Sequence, residues 1–144
     1  MTRYIIAMVL STTLIFGSSK VAIAIKVKGN VSVIYKGLNS PQVLKPGSPL
    51  SDQDRIKTGK NGFIALMYLD DKTVVKMLDN SDLTVMGDRS GKKINKSLDI
   101  KYGRVAANVK PQIGKEFRVF YTPDGYGGSR DRFFIEVPYG SSES

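Results

Sequence analysis

The chain has 144 residues, room for one domain around one core, and its 41% hydrophobic and 24% charged residues exclude both a disordered polymer and a multi-span membrane protein. Its 22 basic and 13 acidic groups give a formal charge of +9, and it contains neither cysteine nor histidine. Disulfides are thereby excluded, together with the preferred zinc and redox-metal ligands and the most versatile acid–base side chain.

The first segment reads as a secretory leader. Arg3 precedes an apolar run from Tyr4 to Phe16, then come Gly17-Ser18-Ser19-Lys20 and Ala22-Ile23-Ala24. A short basic start, an apolar stretch of about 7 to 15 residues and a small-x-small site form the order of a signal peptide. Lys20 stops the run short of the about 20 apolar residues a membrane-spanning helix needs. The expectation is a Sec-type signal helix over residues 1–24, cleaved after Ala24, with Ile25 opening a periplasmic or secreted protein. With no cysteine after the run, the lipoprotein route is closed, and no transmembrane helix is expected after cleavage. Removing residues 1–24 takes away Arg3 and Lys20 and leaves 20 basic against 13 acidic groups, or +7.

Beyond the leader, strands follow one another. Val31, Val33 and Tyr35 alternate with Ser32 and Ile34 between Gly29-Asn30 and Gly37, the period of a half-buried strand. Ser40-Pro41 and Lys45-Pro46-Gly47-Ser48-Pro49 supply turn chemistry. Phe63–Leu69 is an apolar run of strand length, and Asp70-Asp71-Lys72 joins it to Thr73–Leu78 as a hairpin. Leu83–Met86 comes after another turn cluster, Asp79–Asp82. Gly87–Lys96, polar and basic, reads as an exposed loop. Leu98, Ile100 and Tyr102 alternate again, Gly103 punctuates before Val105–Val109, and Phe117–Tyr121 runs into a Gly-rich turn at Asp124–Ser129. Phe133–Val137 is the last strand. The predicted fold is all-β: a short antiparallel or solenoid-like roll or sandwich of about ten short strands.

Catalytic motifs fail one by one. Lys57-Thr58-Gly59 matches the third element of serine β-lactamases, but Ser90–Lys93, the nearest Ser-x-x-Lys, lies after it in a loop, and no Ser-Asp-Asn exists. Thr58-Gly59-Lys60-Asn61-Gly62 leads into a strand, whereas a phosphate loop leads into a helix. Asp70 and Asp71, adjacent in extended chain, would point to opposite faces and could not share a proton. Asp52 with Asp54, or Asp79 with Asp82, lacks the spacing of a calcium loop and reads as turn chemistry. No catalytic, cofactor or metal role is assigned to any residue.

Two surface features remain. Arg89, Lys92, Lys93, Lys96, Lys101 and Arg104 fall within sixteen positions and form a candidate anion- or partner-binding cluster, although charge runs commonly form only a solvated face. Tyr121, Tyr126, Phe133, Phe134 and Tyr139 lie near a glycine-rich stretch and are candidates for stacking on sugar rings or for packing at strand ends.

The punctuation carries a resemblance. Gly29-x-Val31-x-Val33 is followed by Gly47-x-x-Leu50-x-x-x-Asp54-Arg55-Ile56-x-Thr58-Gly59-x-x-Gly62, then by Ala65, Leu69-Asp70 and Asn80-Ser81-x-Leu83. Leu98, Gly103-x-Val105, Phe117-x-Val119 and Thr122-Pro123 complete the series. Over Ile25–Pro123 the pattern resembles the FecR domain, the extracytoplasmic module of iron-dicitrate-type signalling regulators. The resemblance implies that Gly47, Asp54, Thr58, Gly59, Gly62, Asp70, Ser81 and Gly103 are turn residues of the fold. It departs at Gln53, where the family has glycine, at Asp71, where the family hairpin has Asp-Gly, and at Ser129–Phe134, where only the arginine and phenylalanine of a Val-Arg-Gly-Thr-x-Phe segment persist. Residues 25–123 are thus expected to form the FecR-like domain, and 124–144 a divergent or partly ordered C-terminal segment.

Only Met1-Thr2-Arg3 stand before the apolar run, where full regulators of this kind carry a sigma-factor-binding domain and a membrane helix, so direct sigma-factor contact is not expected. The resemblance implies a free exported module that contacts another envelope protein, with strand addition at a sheet edge as the natural mode. The alternative partner is an anionic polysaccharide or peptidoglycan held by the basic cluster; nucleic acid is not expected of an exported chain. Oligomeric state is not fixed by these features.

Overall fold

A computed structural model describes residues 20–109, 117–121, 125–129 and 133–138. The expected signal helix lies outside these residues. Among the described residues twelve strands run in order: β1 (Lys20–Lys28), β2 (Val31–Ile34), β3 (Gln42–Val43), β4 (Pro49–Ser51), β5 (Arg55–Thr58), β6 (Phe63–Tyr68), β7 (Val74–Met77), β8 (Ser81–Ser90), β9 (Lys93–Asn108), β10 (Phe117–Tyr121), β11 (Gly125–Ser129) and β12 (Phe133–Val137). The fold is all-β, as the alternation predicts, and no described helix is long and apolar enough to cross a membrane.

The main path β3-β2-β5-β8-β9-β7-β6-β1-β4 curls into an antiparallel half-barrel. β9 makes this possible. Its first half pairs with β8 and, in parallel, with β10; its second half pairs with β7 and β12. One long strand therefore belongs to both walls, and the walls close on a common core.

Alternation decides what enters that core. Val33, Ile56, Leu83 and Ile100 stand opposite one another along one wall, and Ala24, Leu66, Val75 and Ala107 along the other. All eight are buried. Burying a Val, Leu or Ile side chain is worth about 1.5–3 kcal/mol, and a one-residue slip of any strand would turn its whole apolar set outward.

The bend in β9 occurs at Gly103, where φ is +109° and a Cβ would lie 2.0 Å from Ser81 Oγ. Pairing with β8 slips at the same level, and the Arg104 N–H donates to Ser81 Oγ at 3.0 Å. The strand predicted to end before Gly103 instead passes through it, because a glycine can take the φ that redirects the chain without ending its hydrogen bonding.

Several of the residues that punctuate the sequence tie neighbouring segments together. Thr58 Oγ1 donates to the Leu78 carbonyl at 2.6 Å and accepts the Ser81 N–H at 3.0 Å, while Ser81 Oγ donates to the Asp79 carbonyl. The Gly59 N–H donates to Asn30 O, the Gly62 N–H to Gly59 O, and the Asn80 N–H to Gly59 O. A Cβ on Gly62 would lie 2.3 Å from Asn30 O, so glycine is needed there for close backbone approach. The Gly47 N–H donates to Ala24 O at 2.7 Å. Asp54, buried, accepts the Lys36 N–H at 3.0 Å and the Ser51 N–H at 2.8 Å. Beside it, Arg55 is bidentate on buried Asp82, fastening β5 to β8, and that hydrogen bond raises the arginine's already high pKa.

Gln53 stands in the left-handed region with φ of 73°, at the position where glycine would be expected. Gln53→Gly is therefore expected to stabilise the fold by about 0.5–1 kcal/mol, the relief of left-handed strain exceeding the added freedom of the unfolded chain. A rise in the urea midpoint at constant slope would register it.

Two expectations are corrected. Gly87–Lys96 is not a loop: β8 continues to Ser90, β9 begins at Lys93, and only Gly91-Lys92 turns. The Gly-rich Asp124–Ser129 supplies β11, which pairs in register with β10. β12 joins the second wall along β9, so part of residues 124–144 belongs to the same sheet as the rest. The boundary expected at Ala24 falls inside β1.

Candidate functional site

Folding divides the basic cluster. Arg89, Lys92 and Lys93 are exposed at the tip of the β8–β9 hairpin, where Arg89 Nε also donates to the Lys20 carbonyl at 3.1 Å. Lys101 is exposed further along β9, about 30 Å from the tip at strand rise. Arg104 lies beyond Gly103 and pairs with Asp79 at 2.7 Å. Three cations thus share one site, and two stand apart.

The sixth, Lys96, is not at the surface at all. Its side chain is 1% exposed, and Nζ lies 2.6 Å from Asp70 Oδ2, 3.0 Å from Asp71 Oδ2 and 3.1 Å from the Ile94 carbonyl. Its expected role in anion binding is corrected. Period two places residue 96 inward with Ile94, Leu98 and Ile100, and the ammonium has to find partners there or stay uncharged.

Asp70 and Asp71 supply them. They sit in the β6–β7 turn rather than in extended chain, so both carboxylates reach the same ammonium and the expectation of opposite faces is corrected. Asp70 also accepts the Ile94 N–H at 2.9 Å and the Asp71 N–H, and Asp71 accepts the Thr73 N–H. The cluster ties the hairpin of one wall to the long strand of the other.

Tyr68 completes it. Its ring centroid lies 5.8 Å from Lys96 Nζ, and its hydroxyl donates to the carbonyls of Met86 and Ser97 at 3.0 and 3.1 Å. Burial, with Asp52, Asp70 and Asp71 adding their negative charge, pushes the phenol far above its ordinary value of 10.0. The folded hydroxyl keeps its proton at a pH where the unfolded one ionises, so its contribution is full below about pH 10 and shrinks above it, by up to about 1.4 kcal/mol per pH unit. Tyr68→Phe is expected to make alkaline unfolding shallower, measured by urea titrations between pH 9 and 11.

The carboxylates considered for calcium are engaged within the fold: Asp52 accepts the Gly87 N–H at 3.0 Å, Asp54 two backbone N–H groups, Asp79 and Asp82 an arginine each. Thr58, in the lactamase-like triplet, is committed to Leu78 and Ser81.

A depression with a partly apolar lining lies elsewhere. On the outer face of the second wall, Val74, Lys76, Ala106, Asn108 and Phe134 surround a depression of about 660 Å³. Ala106 stands opposite Lys76 on one side and Phe134 on the other, so a small side chain forms the floor between two large ones. Phe134 is 58% exposed, while Phe133, facing the other way, packs against the core. Among the described residues β12 pairs with β9 alone, so within that set Phe133–Val137 form an edge beside this face. The side chains of Tyr121 and Tyr126, and the whole of Tyr139, lie outside the described residues. The sequence marked Phe134 but missed its companions; the Ala106-Ala107 pair, breaking the run of large residues on β9, is the signal that could have found the floor.

Among the described residues β11 pairs with β10 alone and is a further edge, and the two ends of the main path are short. β3 has two residues, with Val43 79% exposed, and β4 carries Pro49, which cannot donate. Comparison with known proteins finds no matching family model, no matching curated protein and no matching solved structure.

Proposed function

We propose that this chain is a non-enzymatic, exported FecR-like domain, periplasmic or secreted, that serves as a protein-interaction module in envelope signalling or assembly. The observation that carries the reading is the β12 edge beside the exposed Phe134 face. An aromatic ring over a small-residue floor supplies a pocket and an anchor, and the adjacent edge offers backbone groups to an added strand. The turn network around Thr58, Gly59 and Ser81 supports the same reading, because it spends those polar groups on holding the scaffold.

A second reading has its own observation. Arg89, Lys92 and Lys93 at the hairpin tip suit an anionic polysaccharide or peptidoglycan. The two separate in one experiment: the tagged protein is incubated with envelope extract and with purified cell wall. Under the first reading a defined protein is retained at moderate salt, lost about 30-fold or more on Phe134→Glu, and kept on Arg89→Glu/Lys92→Glu/Lys93→Glu. Cell-wall binding that disappears with salt and with the charge reversal, indifferent to Phe134→Glu, would replace the first reading by the second.

A further inference from the structure

A small-x-small site occurs twice near the N-terminus, as Gly17-Ser18-Ser19 and as Ala22-Ile23-Ala24. The fold treats them very differently. Ala22-Ile23-Ala24 lies within β1, paired on one side with Tyr68, Met67 and Leu66 of β6, and Ala22 and Ile23 also pair on the other side with Leu50 and Pro49 of β4. Val21, Ala22 and Ala24 are buried. The Ala24 N–H donates to Ser48 O at 2.9 Å, Ala24 O accepts the Gly47 N–H, and Val21 O accepts the Leu69 N–H at 3.0 Å. Val21 also fills the space beside Gly87, where a Cβ would lie 3.0 Å from its side chain.

A cut after Ala24 would strip Lys20–Ala24 from the sheet. β4, whose pairing is with β1, would lose its neighbour, Tyr68 and Leu66 would be uncovered, and the donors of Gly47 and Leu69 would lose their acceptors. A cut after Ser19 leaves every one of these contacts in place, since Lys20 is the first residue of β1.

From this we infer that leader removal occurs at the Ser19–Lys20 bond, with Gly17 and Ser19 as the small residues three and one positions before it. The inference rests on the export reading and fixes where export ends and the domain begins. A leader peptidase acting on extended chain adds water across that amide, leaving a carboxylate on Ser19 and a free α-amine on Lys20. A cut after Ala24 would release a chain lacking the part of β1 that pairs with β4 and with Leu66–Tyr68, so the product able to complete this sheet is the one that begins at Lys20.

The full chain, carrying a C-terminal tag, is produced in an exporting bacterial host, and the cell fractions are examined by intact mass and N-terminal sequencing. The expected product is an exported protein beginning at Lys20, and Ser19→Arg, which puts a large charged group at the position before the cut, is expected to reduce its yield at least ten-fold. An exported protein beginning at Ile25, or unaltered processing of Ser19→Arg, overturns the inference while leaving export standing. Intact chain beginning at Met1 and confined to the cytoplasm overturns both.

Discussion

Lys96→Met is expected to destabilise the protein by about 3–5 kcal/mol, the loss incurred when one partner of a buried ion cluster is removed and the other charges are left without compensation. Methionine matches the length of the lysine stem, so little of the effect comes from packing. The cost arises at Asp70, whose side chain is 9% exposed, and at Asp71, 25% exposed. In an Asp70→Asn/Asp71→Asn background the same Lys96→Met change should cost less than half as much, because no buried carboxylate remains to be stranded. Urea unfolding of the four proteins in a thermodynamic cycle gives the coupling directly. Arg104→Ala is the contrasting case. Its pair with Asp79 is 46% and 34% exposed, and its removal should cost no more than about 1 kcal/mol. Equal losses at the two sites would show that burial does not govern this cluster.

Gly103→Ala is expected to be as damaging, by about 3 kcal/mol or more, for a steric reason. At φ of +109° any L side chain is strained, and the new Cβ would lie 2.0 Å from Ser81 Oγ, 2.3 Å from Ser81 Cβ and 2.5 Å from Ser81 Cα. Ser81 cannot retreat cheaply, since it holds Thr58, Asp79 and Arg104 together. Shortening the neighbour by Ser81→Gly should restore only part of the loss, because the contact with Cα and the backbone strain both remain. Thermal and urea unfolding would report the change, and a penalty below about 1 kcal/mol would mean that β9 does not depend on its bend at this residue.

These two positions show why some of the molecule was legible and some was not. Gly103 and the Thr58-Gly59-x-x-Gly62 turn announce themselves, because residues that permit unusual φ or close backbone approach are few. Strand existence was legible for the same kind of local reason: Val31–Ile34, Phe63–Tyr68 and Phe133–Val137 carry their period on the surface of the sequence. Gly87–Lys96 misled because polar side chains at a hairpin tip look like a loop whether or not the backbone continues to pair. Lys96 misled further, since proximity in sequence to Lys92 and Lys93 says nothing about which face of a strand each occupies.

By itself the sequence determined that this is an all-β protein with its turns at particular glycines and aspartates, because alternation and turn chemistry are local properties of the chain. Tertiary structure alone decided that β9 is shared between two walls, that Asp70 and Asp71 converge on Lys96, and that Ala106 and Phe134 share an open face. Each of these depends on the register between strands distant in the chain, and register is set by the burial of whole apolar faces together rather than by any short stretch of residues.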